Sequence, residues 1–159
     1  MAHPYKGYNP VGGTLEDTHI ICGGYYKGSY LATCYKAGED SPFGQMSTAR
    51  RYAAAQVIDG ALWITGGLDG NSRLQSTELM TKEGTSSTAI PLPMALEAHC
   101  LVEFDSKMMM AIGGYSNSGF ERRTYTIMKK DIKNNDISAW EMGPDLLEAR
   151  AWHGCTNMD

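Results

Sequence analysis

Short apolar runs, broken every few residues by glycine, proline or a small polar residue, set the rhythm of this chain. Three of them close on a diglycine: Ile20-Ile21-Cys22-Gly23-Gly24, Leu62-Trp63-Ile64-Thr65-Gly66-Gly67 and Met110-Ala111-Ile112-Gly113-Gly114. From Gly23 to Gly66 is 43 residues and from Gly66 to Gly113 is 47, a period at which self-similarity signals a repeat architecture. The runs are too short, and too often interrupted, for helices with apolar residues at i, i+3, i+4 and i+7. One weak helical stretch, Asp145 to Trp152, follows Gly143-Pro144 and is better read as loop and strand.

Superposing the diglycines predicts the remaining strands. Ten residues beyond the second glycine stand Cys34, Thr77 and Thr124, inside the segments Leu31 to Lys36, Leu74 to Met80 and Arg123 to Met128. Upstream, Arg50 and Glu97 open the segments Tyr52 to Ile58 and His99 to Asp105, each leading through a turn (Asp59-Gly60, Asp105-Ser106) into a diglycine strand. Tyr8 to Leu15 fills the same slot in the first unit, with Glu16-Asp17 at the turn. A fourth strand per unit is expected around Phe43, Ile90 and Trp140. The expected architecture is all-β, a partial β-propeller of three four-stranded antiparallel blades. The blades span about 5–45, 46–93 and 94–142. A surplus strand at 149–159 opens a further unit, since Ala149-Arg150 answers Ala49-Arg50 and Asp159 falls where Asp59 does.

Those residues resemble kelch repeats. The best match runs from Met46-Ser47-Thr48-Ala49-Arg50 through Asp59-Gly60 to Gly66-Gly67, with Ser76-Thr77-Glu78-Leu79 as the third strand. The third unit matches in Gly113-Gly114, Tyr125 and Trp140, and the first in Gly23-Gly24 and Tyr35. It departs where Glu97 stands for the arginine and where the second unit lacks its late tryptophan. A propeller needs about four blades to close. Three therefore imply either a piece of a longer protein or two copies completing a six-bladed ring. The resemblance further implies a partner-binding rim on the loops after each diglycine and near the repeat arginine. Here those loops carry Tyr25, Tyr26 and Lys27; Arg50 and Arg51; Asp69, Asn71 and Arg73; and Tyr115, Asn117, Phe120, Arg122 and Arg123. Such aromatic, arginine and asparagine side chains suit protein or peptide recognition. An acidic or extended peptide fits if Arg50, Arg73, Arg122 and Arg123 converge.

Composition narrows the functional classes. Fourteen basic against 18 acidic residues give a net charge of −4 with no basic run, which argues against nucleic acid. No apolar stretch has the length of a membrane helix, and no signal-peptide core stands at the start. Cys22, Cys34, Cys100 and Cys155 contain no C-x-x-C pair, so no metal site or cofactor is indicated. Cys22 and Cys34 fall on neighbouring strands of one unit, where a disulfide is expected and would imply an oxidising compartment. Location stays open between that and the intracellular setting of many kelch adaptors.

The diglycines have a structural explanation, crowding near a propeller centre that excludes a Cβ, and they open no helix that would cradle phosphate. Met108-Met109-Met110 alternates across a strand as core filling. A binding module with no catalytic role is the first reading, since no G-x-S-x-G elbow or Cys-His pairing stands out. The rival is a propeller enzyme such as a galactose-oxidase-like copper oxidase, which needs Tyr and His ligands near the axis. Of His3, His19, His99 and His153, only the last two lie on innermost strands, and counting from Glu97 and Arg150 turns them to opposite faces.

Overall fold

The computed structural model describes residues 5–133 and 137–157. His3 and Asp159 lie outside them. The chain first forms the hairpin β1 (Val11–Leu15) and β2 (Thr18–Cys22). A two-residue ribbon, β3 (Tyr25–Tyr26) with β4 (Ser29–Tyr30), precedes β5 (Thr33–Lys36) and β6 (Pro42–Gln45). The second unit is β7 (Ala54–Ile58), β8 (Ala61–Thr65), β9 (Thr77–Met80) and β10 (Ser86–Ala89). The third is β11 (Cys100–Phe104), β12 (Met108–Ile112), the ribbon β13 (Tyr115–Ser116) and β14 (Gly119–Phe120), then β15 (Thr124–Met128). A one-turn helix α1 (Lys129–Lys133) and β16 (Glu141–Met142) complete it. Three antiparallel four-stranded sheets result, in the orders β1-β2-β5-β6, β7-β8-β9-β10 and β11-β12-β15-β16. First strands lie beside each other, β1 against β7 and β7 against β11, so the sheets radiate like propeller blades.

Local chemistry explains the hairpins. Asp59 and Gly60 have φ of 49° and 76°, and Asp105 and Ser106 have 51° and 46°. Two successive positive φ values make the tight turn whose twist matches the flanking strands. β8, Ala61–Thr65, is apolar on both faces because it lies between two neighbouring sheets, with Leu62, Trp63, Ile64 and Thr65 all buried. Leu62, Ile64 and Met80 pack on Leu15, Ile20, Cys22, Cys34 and Met46 across the first seam. Trp63, Ile58 and Ile90 pack on Leu101, Met109, Tyr125 and Ile127 across the second. Each large side chain buried this way contributes about 1.5–3 kcal/mol.

The seams share one backbone joint. Asn9, Tyr52, Ala98 and Trp152 all turn with φ of 52–55°. The N–H of Tyr52 donates to the Asn9 carbonyl (3.3 Å), that of Ala98 to Tyr52 (2.8 Å) and that of Trp152 to Ala98 (3.0 Å). Just before each corner, the carbonyls of Arg50, Leu96 and Arg150 accept from Gly24, Gly67 and Gly114 at 2.7–2.8 Å. Leu96, not Glu97, is therefore the structural counterpart of Arg50 and Arg150, and Glu97 is the counterpart of Arg51. The expectation that Glu97 replaces the repeat arginine is corrected by one place. His99 and His153 are then equivalent rather than opposed, each with its ring under the preceding diglycine, near Gly66 and Gly113 respectively. The same joint explains the diglycines. A Cβ on Gly66 would stand 2.4 Å from the Leu96 carbonyl oxygen, and one on Gly67 2.7 Å from that of Arg51.

Cys22 and Cys34, directly opposite in the β2–β5 register, are disulfide-bonded. A second bridge, Cys100–Cys155, was not anticipated. It ties the C-terminal segment to β11, beside which Asn157 Oδ1 also accepts from the Glu103 N–H. Parallel placement of first strands in successive units is the signal that would have paired these cysteines. The described part of the expected surplus strand, residues 149–157, forms no ladder.

Candidate functional site

The loops beyond the diglycines form a crown at one end of the sheets. In the first seam Tyr25 and Tyr30, opposed in the β3–β4 ribbon, meet edge to face with centroids 5.1 Å apart. The guanidinium of Arg51 stands over three rings, 4.8 Å from Tyr25, 5.1 Å from Tyr30 and 5.0 Å from Tyr52. Its Nε is buried with no hydrogen-bond acceptor. Tyr52 contacts Trp152 at 5.9 Å, and Trp152 contacts Tyr115 at 5.9 Å and Phe120 at 6.2 Å. Ring contacts thus run from Tyr52 through Trp152 to Tyr115 and Phe120, and the Arg51 guanidinium joins them to Tyr25 and Tyr30. Tyr8, Phe120 and Trp152 are 69%, 58% and 55% exposed.

The second seam repeats these positions with different chemistry. Arg73, the counterpart of Tyr30, stacks 4.6 Å over Tyr115 and donates from Nε to Glu97 Oε1 at 3.0 Å. Its Nη1 reaches Asn117 Oδ1 at 3.2 Å. Glu97 is buried, so this cation is neutralised from within.

Other expected rim residues are placed differently. Arg50 is corrected from rim to core: it is 1% exposed, and its guanidinium is saturated by the structure around it. Nη1 donates to the carbonyls of Gly66 (2.9 Å) and Ser76 (3.0 Å), and Nη2 to Ser76 Oγ (3.2 Å) and Glu78 Oε1 (2.6 Å). Burial pulls the Arg50 pKa down from its usual value, against the raising effect of Glu78. For Glu78, burial pushes the carboxyl up, but the Ser47 N–H, the Ser86 hydroxyl and Arg50 outweigh it and leave the pKa lowered. The four arginines expected to converge do not form a free cluster. Besides Arg50 and Arg73, Arg122 pairs with Asp145 (3.1 Å) and Arg123 with Glu121 (3.5 Å). Asp69 Oδ1 accepts the N–H groups of Asn71 and Ser72 in its own loop. Those bonds hold its carboxyl below the usual range. Lys27 lies over the ring of Tyr26 at the tip of the first ribbon. Tyr8, Tyr30, Tyr52 and Trp152 belong to the crown and were missed. Their signal was local: an aromatic follows the arginines in both Arg50-Arg51-Tyr52 and Arg150-Ala151-Trp152.

Beneath the crown, His99 is buried with Nε2 2.9 Å from Thr65 Oγ1. Burial first, and then the neighbouring His153, push its pKa down to about 3. His153 is also lowered, by burial and then Arg150. Among the described residues, no three His, Cys, Asp or Glu side chains gather as a metal-ligand set, and no helix is long and apolar enough to cross a membrane. A pocket of about 360 Å³ lies at the far end of the β7–β8 hairpin, walled by Trp63, Leu79, Ile90 and Ile132.

Three radiating four-stranded sheets with a shared joint define a partial β-propeller. No family model matches the chain. It is similar to the spermatocyte protein spe-26 of Caenorhabditis elegans, 26% identical over 103 residues. The match takes in 64% of this chain and spans 17% of that protein's length.

Proposed function

We propose that this chain is a kelch-type propeller segment that binds a protein or peptide on its loop crown. The observation that carries the reading is the chain of stacked side chains along the crown, Tyr25 and Tyr30 on Arg51, Arg51 on Tyr52, and Tyr52 on through Trp152 to Tyr115 and Phe120, with the rings of Phe120 and Trp152 exposed. Recognition surfaces use such rings because they bring large contact area at small entropic cost. The repeat motif and the distant similarity to spe-26 support the kelch-type assignment. In this reading the molecule is a scaffold and not an enzyme, with neither nucleic acid nor membrane as its target. Self-association is a further proposal: the outer face of the third sheet leaves Phe104, Met108 and Met110 partly exposed, a surface a second copy would cover in completing the ring.

The test is selection of phage-displayed random peptides on the purified chain, followed by titration of the selected peptides as free ligands. Binding that drops about tenfold or more in Phe120→Ala and Trp152→Ala supports the crown. Binders indifferent to both substitutions refute it. Light scattering across protein concentrations reads self-association directly.

A further inference from the structure

We propose that the tyrosine-walled Arg51 site in the first seam is a receptor for a carboxylate, the side chain of an aspartate or glutamate in the bound polypeptide. The proposal rests on the crown being a peptide-binding face and assigns its charge specificity. The second seam supplies the template. There the rim holds an arginine stacked on a tyrosine, Arg73 on Tyr115, and completes it with the buried carboxylate of Glu97. The first seam holds the same kind of stack, with three tyrosines instead of one, and no carboxylate within ion-pair distance among the described residues. The position that carries Glu97 in one seam carries Arg51 itself in the other, so this seam has the cation and lacks the anion.

Nothing nearby is poised to fill that role. Asp69 is committed to the N–H groups of its own loop, and Glu78 lies in the core on Arg50. The guanidinium is half-buried, its Nε has no acceptor, and no hydrogen bond from its Nη groups occurs among the described residues. Tyrosine faces on several sides shield it from water without neutralising it, a setting in which a charge-assisted forked hydrogen bond is strong. A carboxylate meets both needs of the group at once, charge and in-plane acceptors. The exposed rings of Trp152 and Phe120 continue from Tyr52, so the acid's neighbours in sequence are expected to be apolar.

The experiment uses the peptides selected above, each synthesised with its acidic residues and again with Asn or Gln in their place. Binders are expected to share one Asp or Glu whose amide form binds about tenfold or more weaker to the unmodified chain. Against Arg51→Gln the acid and amide forms should bind alike, and Arg51→Lys should fall between. Circular dichroism and thermal melting verify that the variants fold. Independently of any variant, the Arg51 Nε–H signal of the unmodified chain should shift on titration with the acid form and stay in place with the amide form. Peptides that lose affinity in Phe120→Ala or Trp152→Ala but respond to neither acid replacement nor Arg51→Gln overturn the carboxylate assignment and leave the crown standing. If no selected peptide depends on Phe120 or Trp152, both readings fall together.

Discussion

The two seams are built on the same backbone and differ in what they leave unfinished. At the second, a cation and an anion meet inside one chain, and Glu97 is buried against Arg73. At the first, the corresponding rim positions hold tyrosines and a lone arginine, while the neutralised cation sits one residue earlier and deeper, as Arg50 on Glu78. Adjacent arginines therefore differ in their partners: Arg50 is held in the core by Glu78, and Arg51 lies half-buried among the tyrosines of the crown. An internally completed ion pair serves stability, and in the binding reading proposed above an incomplete one is what a partner would complete.

Removing Arg50 gives the largest expected effect. Arg50→Ala leaves Glu78 buried without its counterion and should cost about 3–5 kcal/mol in urea denaturation, whereas Arg51→Ala should cost less than about 1 kcal/mol. Equal losses at the two positions would erase the distinction between pillar and rim.

Acid should weaken the second seam selectively, because His99 has no counterpart in the first, where Ala53 occupies the equivalent place. The folded-state pKa of His99 is depressed to about 3, so below its ordinary value near 6.5 the unfolded chain takes up a proton that the folded chain refuses. Its stabilisation is complete above pH 6.5 and is lost progressively as the pH falls toward 3. By pH 5 the loss from this group is about 2 kcal/mol. Glu78, also depressed, adds its own loss only below its ordinary value near 4.5. Melts between pH 7 and 5 therefore isolate the histidines. His99→Gln should flatten that slope and leave the part due to His153.

A smaller change is expected at the rim pair. Glu97→Gln removes the charge from a buried carboxylate whose partner is partly solvated, and should cost about 1–2 kcal/mol by chemical denaturation. Smallest of all is Trp152→Ala, expected to shift stability by less than about 1 kcal/mol while weakening ligand binding, since the ring is 55% exposed.

Most of the frame was legible in the sequence because backbone requirements leave local marks. The hairpin turns at Asp59-Gly60 and Asp105-Ser106, the diglycine strands, and the third strands at Thr33, Thr77 and Thr124 all stand where turn chemistry and apolar alternation place them. The fourth strands are present too, although Ile90 and Trp140 lie just outside the ladders. Short helix α1 went unread, since one turn of Lys129–Lys133 leaves no period to detect. Glu97 lies one residue past the repeat position because the joint does not require an arginine. What recurs at that joint is a carbonyl that accepts from a diglycine N–H, and Leu96 supplies it as well as Arg50 does.

The candidate site was less legible for a related reason. Loop membership placed Arg51, Tyr115 and Phe120 on the crown, but whether an arginine faces outward or plunges inward depends on the acid it meets, and Glu78 lies on a strand 28 residues from Arg50. Pairings at such distance leave no local pattern to read.

The joint at Asn9, Tyr52, Ala98 and Trp152 has a consequence beyond any single seam. Each corner lends a donor backward to the corner before it and offers an acceptor forward to the next, so the array is directional, like links that couple in one orientation only. Side chains at the corners are unrelated, an asparagine, a tyrosine, an alanine and a tryptophan. Coupling through main-chain atoms makes the joint itself independent of sequence. The joint therefore places no demand on side-chain identity at the corner itself, and the specificity of one sheet for its neighbour rests on the side chains packed across the seam.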